Sequence, residues 1–433
     1  MKEKRMEAVK KQPMLSGLLI LFLTAMVFAN IGGGMYDGLL PLYLKELNAD
    51  ITDIGLFFTL SMIVPLFLQI LGGWVSDSLG RLRAIAIGSI FGTLGFIPLV
   101  LADRWEWLLL ATAVGAVARS LVGPSFDAFI AEHSTEQNRG KVYGISQTIF
   151  MIVMVAGPPL GGWLTGEFGF KLMLFVAGVF YFVAMILRLG MAREAAKGEK
   201  ANGEKKSLSL TSLKTNMGAM VGMILSGGLL TWMLITDGLR DVSFQFSGSL
   251  FPVYMQEVGG LSYQQIGWVT SFFGICMMLS SIPGGWLSDK AGERVGIALG
   301  MILMSGALFL LVSVYSLGPS GQWLYYVGWG MAGLGAGVSG PSYQSLISKA
   351  VPKEQRGLAF GLLSTSLGVV SLPAPWIGAQ LWDNFGPTAP FTITASVLLL
   401  SVIPIWVKFK LPKTGGLPGA DQPVDENAVV AAG

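Results

Sequence analysis

Apolar residues run along this chain in blocks of about twenty or more, each closed by a few polar positions. The blocks fall at about 15–46, 54–76, 83–102, 106–131, 141–165 and 171–190. They resume at about 218–256, 264–288, 295–316, 322–348, 358–382 and 389–410. A helix rises about 1.5 Å per residue, so ~20 residues cross the ~30 Å of hydrocarbon in a bilayer. The pattern therefore predicts an all-α membrane protein of about twelve spanning helices, six on either side of a polar stretch, the longer blocks tilting or projecting. The stretch from Arg193 to Lys214 carries Lys197, Lys200, Lys205 and Lys206 among Glu and Ser and reads as a solvated linker. Gly415 to Gly433, rich in Gly, Pro and Ala, reads as disordered. The expected division is 1–13 as a cytoplasmic segment, 14–192 as a first six-helix bundle, 193–216 as linker, 217–411 as a second bundle and 412–433 as a tail. Lys2, Lys4, Arg5, Lys10 and Lys11 precede an apolar run from Leu15 to about Leu44. That run is too long for a signal peptide and no small-x-small site closes it, so it is read as a first span.

Composition narrows the class. Hydrophobic residues make up 52% and charged residues 13%, against roughly 25% charged in ordinary globular domains. A soluble surface cannot be covered at that charge density, so the expected solvent is lipid. Cys276 and His133 are the only Cys and His. No metal cluster and no convergent nucleophile–base set can be built from them, and no soluble ATPase domain is present, so an enzyme and a primary pump are both disfavoured. No cofactor is expected. The absence of any Asn-x-Ser/Thr sequon fits a prokaryotic inner membrane.

The charges also orient the chain. With the N-terminus cytoplasmic, Lys45, Arg104 and Lys171 lie outside, Arg119 and Arg240 lie within spans, and every other Lys and Arg is cytoplasmic. This is the positive-inside bias, and a one-span shift would invert it; both termini are expected inside. The chain is internally duplicated as well. Gly72-Gly73-Trp74-Val75-Ser76-Asp77 returns as Gly284-Gly285-Trp286-Leu287-Ser288-Asp289, and Pro41-Leu42-Tyr43 as Pro252-Val253-Tyr254. Ile54-Gly55 returns as Ile266-Gly267, Gly123-Pro124-Ser125-Phe126 as Gly340-Pro341-Ser342-Tyr343, and Arg139-Gly140 as Arg356-Gly357. Two halves of the same direction, each with an even number of spans, should be related by an axis along the membrane normal.

These residues resemble the major facilitator superfamily. Its hallmark between spans two and three, G-x-x-x-D-x-x-G-R, is matched by Gly73, Asp77, Gly80 and Arg81. In the second half Gly285, Asp289 and Gly292 match, but Glu293 stands in place of the arginine and Arg294 follows it. The resemblance implies two pseudo-symmetric six-helix bundles and a conformational latch at these positions; Asp77, at the end of its span, is placed to accept from the N-terminus of a helix in the other half or to pair with Arg81 or Arg139. The resemblance also implies a weaker second latch, because of Glu293. Arg119-Ser120-Leu121-Val122-Gly123 is similar to the family's fourth-span motif, which is associated with proton coupling. Gly157-Pro158-Pro159-Leu160-Gly161-Gly162 partly resembles the fifth-span core of the drug:proton antiporter branch, with Val153 where a glycine is usual.

Charges inside the spans are the candidate chemistry. A cation mid-span costs ~2.5–3.5 kcal/mol on insertion scales, which marks Arg119 as a coupling residue or half of an ion pair. Asp37 lies eight residues before Lys45, ~12 Å inside the end of its span. Pro41 cannot donate to the Asp37 carbonyl, so a kink is expected there. Asp237, Arg240 and Asp241 share one helix face and leave one net negative charge, available to Arg119 or to a proton unless Asp237 simply pairs with Arg240. Asp127 is a weaker candidate. Across the repeat Arg119 falls opposite Ala336, Asp37 opposite Gly248, Asp127 opposite Gln344 and Asp241 opposite Asn30. Duplicated positions suit the shared motion; single charges suit substrate or proton work.

Other features carry less. The glycines 328, 330, 333, 335, 337 and 340 form a stripe for close helix packing. Trp232, Trp268, Tyr143, Tyr343 and Trp376 either line a cavity or face lipid. The leading expectation is secondary active transport by alternating access: proton-coupled efflux of a drug-like or amphiphilic small molecule by a monomer, without nucleic-acid partners. Proton-coupled uptake of a sugar, organic acid or other metabolite is the alternative, and a non-transporting membrane scaffold or receptor the reading from a different class.

Overall fold

The computed structural model describes residues 17–132, 139–198, 229–350 and 368–409. Expectations for the 1–13 segment, most of the linker, the 412–433 tail, His133 and Arg356-Gly357 lie outside those residues, as do the side chains of Gly73, Asp77, Asp127 and Arg139. The described secondary structure is helical throughout. In chain order it comprises α1 (Gly17–Tyr36), α2 (Leu40–Glu46), α3 (Ile51–Leu79), α4 (Arg81–Leu101), α5 (Glu106–Glu132), α6 (Arg139–Gly198), α7 (Leu229–Gly248), α8 (Phe251–Glu257), α9 (Tyr263–Ala291), α10 (Glu293–Ser313), α11 (Trp323–Ala350), α12 (Ala374–Phe385) and α13 (Ala389–Lys408).

Eight described stretches are long and apolar enough to cross a bilayer. One of them, Gly140–Glu194, has 55 residues, which rise about 80 Å and make two crossings. Gly169, at φ 80°, breaks α6 between them in a conformation only glycine adopts freely. The remaining described helices, α7 with α8, α11 and α12, occupy the other three expected segments, so the arrangement is consistent with twelve crossings.

The first crossing is interrupted where Pro41 predicts. A 3₁₀ turn, Asp37–Leu39, separates α1 from α2, and Pro41 sits in the first turn of α2. The second half repeats the device, with α7 ending at Gly248 and Pro252 opening α8. Repeat-related tyrosines then lock both breaks in the same way. Tyr43 donates to the Leu99 carbonyl at 2.9 Å, and Tyr254 donates to the Leu311 carbonyl at 3.3 Å. Both side chains are essentially inaccessible, so each hydroxyl must find a partner within the protein.

Among the described residues the halves meet chiefly along α3 with α12 and α6 with α9, with a smaller contact of α2 against α8. Lipid supplies no hydrophobic drive between helices, so close backbone approach has to hold them together. The repeated glycines provide it. A Cβ on Gly55 would lie 2.5 Å from Ala379 Cβ and 2.7 Å from the Pro375 carbonyl of α12. A Cβ on Gly267 of α9 would overlap the Pro158 carbonyl of α6. The glycine stripe of α11 serves packing except at Gly340, which is exposed with nothing within 4 Å of a Cβ: a Cβ on Gly333 would overlap the Phe273 carbonyl, and one on Gly335 would lie 2.7 Å from that of Gly300.

Candidate functional site

The α3–α4 loop and its repeat in α9–α10 lie on one face of the bundle, here called the motif face, and the α1–α3 connection lies on the opposite, far face. A cavity of about 560 Å³ is built from α1, α4, α5 and α6, all in the first half. Its charged and polar lining is Asp37, Arg119, Arg188, Asn30, Gln147 and Ser146, and its aromatic walls include Tyr36, Phe96, Phe126, Phe150 and Tyr181. A smaller space of about 180 Å³ adjoins it toward α3, and Tyr36, Asp37, Phe96 and Arg119 line both. Asp37 and Arg119 are accessible although they sit deep in the bundle, because they face this space. The structure thus brings the two singular charges of the first half to one cavity. Among the described residues neither is in an ion pair.

Arg188 is the residue that sequence reasoning misses. The charge pattern places it with the cytoplasmic cations, because Arg193 follows it and long cationic side chains near helix ends usually snorkel outward. In the structure it is only 4% exposed and lines the cavity. Its Nη1 donates to Ser89 Oγ of α4 at 3.0 Å, and the Tyr181 hydroxyl lies beside it. The available signal is helical phase: Arg188 follows Tyr181 by seven residues, two turns on the same face.

The second half treats its charges differently. Arg240 Nη1 lies 3.4 Å from Asp237 Oδ1, and the guanidinium stacks over Tyr343 at 4.8 Å. Asp241 accepts from Ser371 Oγ at 2.7 Å. All three take these contacts from their own half, although the buried Asp237 Oδ1 accepts no hydrogen bond among the described residues, and none lines the cavity with Arg119. Nor do the five aromatics singled out in the sequence line it. Tyr343 serves Arg240, Trp232 lies under Lys408 at 4.9 Å, Tyr143 packs in an apolar cluster of the first half, and Trp268 and Trp376 are about half exposed.

The fifth-span motif closes the far face. A Cβ on Gly157 would lie 2.8 Å from the Gly34 backbone of α1, and one on Gly161 would overlap the Met35 carbonyl. One on Gly162 would lie 2.5 Å from the Tyr263 carbonyl of α9. Pro158 presents its carbonyl to Gly267, so the motif joins α1, α6 and α9 in one contact. Polar contacts across the halves reinforce this closure. Lys45 of α2 pairs with Glu257 of α8. Thr52 donates to Asp383 at 2.8 Å and accepts from Gln380 at 2.9 Å. Ser271 donates to the Val155 carbonyl at 2.6 Å.

At the motif face Gly80 and Gly292 both take positive φ, 87° and 94°, to turn one span into the next. Arg81 Nε donates to Glu132 at the end of α5, 3.2 Å away. Glu293 pairs with Lys349 near the end of α11 and accepts from Ser345 at 3.0 Å. Positions 81 and 132 correspond to 293 and 349 in the repeat, so the same contact exists in both halves with its charges exchanged. The departure at Glu293 is therefore compensated at this contact, which Glu293 keeps to the neighbouring helix as Arg81 does in the first half. Arg294 instead donates to the Trp406 carbonyl at 3.3 Å. Gly285 has open space where a Cβ would point, and Asp289 is exposed without an ion pair among the described residues.

Two duplicated bundles of membrane-crossing helices, held together on one face, with a cavity in the first that carries Asp37, Arg119 and Arg188, define an integral membrane transporter of small molecules. The chain belongs to the major facilitator superfamily, whose family model matches residues 19–239 and 233–430. It is 24% identical over 385 residues to a multidrug resistance efflux pump PmrA homolog of Lactococcus lactis, covering 86% of this chain and 89% of that protein. It is 24% identical to a class E tetracycline resistance protein of Escherichia coli, covering 84% and 87%. A probable galactarate/D-glucarate transporter of Bacillus subtilis is 23% identical, covering 77% and 78%. Among solved structures, a bacterial homologue of the iron transporter ferroportin in an inward-facing state superposes with a TM-score of 0.73 at 15% identity. The match covers 90% of this chain and 98% of that one.

Proposed function

We propose that the protein is a proton-coupled efflux antiporter that exports a drug-like or amphiphilic small molecule by alternating access. The observation that carries this reading is the cavity in which Asp37 and Arg119 face open space without pairing, beneath a closed far face. Asp37 is the proposed proton carrier. Its carboxylate offsets the Arg119 charge, and protonation removes that offset, which changes the relative stability of the two bundle arrangements. Arg119, Asp237, Arg240 and Asp241 remain the other coupling or substrate candidates, the last three acting through the second half's own network. The motif face is assigned to the cytoplasm, with both termini there, in a prokaryotic inner membrane. The closed far face then makes this an inward-open arrangement of the 14–192 and 217–411 bundles in a functional monomer. Gly73, Asp77, Gly80, Arg81 and Arg139, with Gly285, Asp289, Gly292 and Arg294, form the latch that engages when the motif face closes. The similarity to drug-resistance pumps supports efflux, and the antiporter-like core at Gly157, Pro158, Gly161 and Gly162 supports it independently.

The test is transport in proteoliposomes under imposed pH gradients, with dyes, drugs and metabolites as substrates. Exchange of an amphiphile against protons, lost in Asp37→Asn and Arg119→Ala, is the expected result. Proton-driven accumulation of a metabolite without drug movement would make the protein an uptake symporter instead. Variants that keep both transport and its pH dependence would remove Asp37 and Arg119 from the mechanism.

A further inference from the structure

We infer that Arg188 is an anion-binding residue and that the cavity takes an amphiphile bearing a carboxylate. The cavity holds two cations, Arg119 and Arg188, and one anion, Asp37. Arg188 is nearly inaccessible, and its partners, Ser89 and Tyr181, are neutral. A guanidinium removed from water without a counter-charge is costly, and a bound carboxylate supplies that charge with matching fork geometry. Ser89 and Tyr181 hold the group at the cavity wall, which limits the side-chain entropy lost on binding.

Depth separates this site from the proton site. Arg188 lies nineteen residues past the α6 break at Gly169, ~28 Å from the far face, whereas Asp37 lies nine residues before the end of α2, ~13 Å from it. The ~15 Å between them along the membrane normal lets an anion bind Arg188 without touching Asp37. The aromatic walls at Phe96, Phe126, Phe150 and Tyr181 accept the apolar body. A volume of about 560 Å³ suits a drug-sized ligand, within the usual range of ~300–1,000 Å³. The inference rests on this cavity being the substrate site, but not on the direction of transport or on its coupling to protons.

The experiment is equilibrium binding to the full chain in nanodiscs at pH 7.5 without a gradient. Three probes of one shape are used: 1-pyrenebutyrate, its neutral amide and 1-pyrenebutylamine. The carboxylate is expected to bind at least tenfold tighter than the amide, with the amine weakest. Arg188→Gln is expected to abolish the preference while amide affinity stays within twofold, which also shows that the variant is folded. Arg188→Lys is expected to retain part of it. Equal binding of the three probes, a preference for the amine, no carboxylate binding, or a preference that survives in Arg188→Gln would overturn the assignment. Should Arg188→Gln not fold, the wild-type series and Arg188→Lys decide. A carboxylate preference without proton-driven transport would remove the efflux proposal and leave this one standing.

Discussion

Adding one methyl group at Gly267 should shift the protein from its far-face-closed arrangement toward the opposite one. The new Cβ of Gly267→Ala meets the Pro158 carbonyl, with the Pro158 carbonyl carbon at 3.0 Å and Pro159 Cα at 3.1 Å. All three are backbone atoms of a packed helix, so no rotamer change relieves them; α9 and α6 must separate. Overpacking of this kind costs about 1–3 kcal/mol. At about 1.4 kcal/mol per factor of ten, the ratio of far-face-closed to far-face-open molecules falls by about 5- to 150-fold. Only the closed arrangement bears the cost, because the glycine contact lies on the face that parts.

Spin-label distances across the far face measure this. Arg104 and Ser320 are exposed there, one in each half, and Cys276 is the single native cysteine, so Arg104→Cys and Ser320→Cys can be labelled in a Cys276→Ser background. Gly267→Ala should lengthen the dominant distance, and Gly55→Ala, its repeat counterpart, should do the same through α12. Gly166→Ala in α6, where a Cβ meets nothing within 4 Å and which belongs to no latch position, should leave the distribution unchanged. A folded Gly267→Ala protein with the wild-type distribution would refute the argument that these glycines govern closure. So would an equal shift in Gly166→Ala.

Other expectations follow from particular contacts. Glu293→Gln should lower stability by about 1 kcal/mol, the discounted worth of a pair whose lysine is half exposed, and the exchange Glu293→Lys with Lys349→Glu should restore most of it in a thermal-aggregation assay. Glu257→Gln should weaken far-face closure by about 1 kcal/mol or less, because both partners of the Lys45 pair are about a third exposed. The same distance measurement should show this effect shrinking at high salt. Tyr43→Phe and Tyr254→Phe should each cost about 0.5–1.5 kcal/mol for a lost buried hydrogen bond. Tyr43 should cost more, since its bond is shorter, 2.9 against 3.3 Å; equal costs would show that bond length here does not track strength.

Features that depend on local chemistry or on repetition are legible in the sequence. Pro41 and Pro252 announce the breaks in the first and seventh crossings, and the paired Gly55 and Gly267 announce a shared contact through repetition alone. Which helix each glycine meets is not legible, because that contact joins residues more than a hundred apart. Asp37 and Arg119 stand out because charge in an apolar run is costly wherever it lies. Arg188 does not, because it lies close to the polar border of its apolar block at Ala192-Arg193, and hydropathy cannot distinguish a cation that snorkels from one that turns inward. The exchange of charge between Arg81–Glu132 and Glu293–Lys349 is hidden for a related reason. A single altered position looks like loss until its partner on another helix is known.

These contacts divide labour between the halves more sharply than the repeat alone suggests. In the second half Asp237 pairs with Arg240 and Glu293 with Lys349, so these four charges are matched within their own bundle. In the first half Asp37 and Arg119 face the cavity unmatched, and Arg188 has neutral company. A charge already paired within its own bundle changes little in energy when the bundles rock, whereas an unmatched one responds to every change of solvent, proton or ligand around it. The first half is therefore the part whose energy depends on what is bound, and the second is the part that moves against it. Neutralising a charge in the first half should alter coupling, whereas neutralising one in the second should first alter stability.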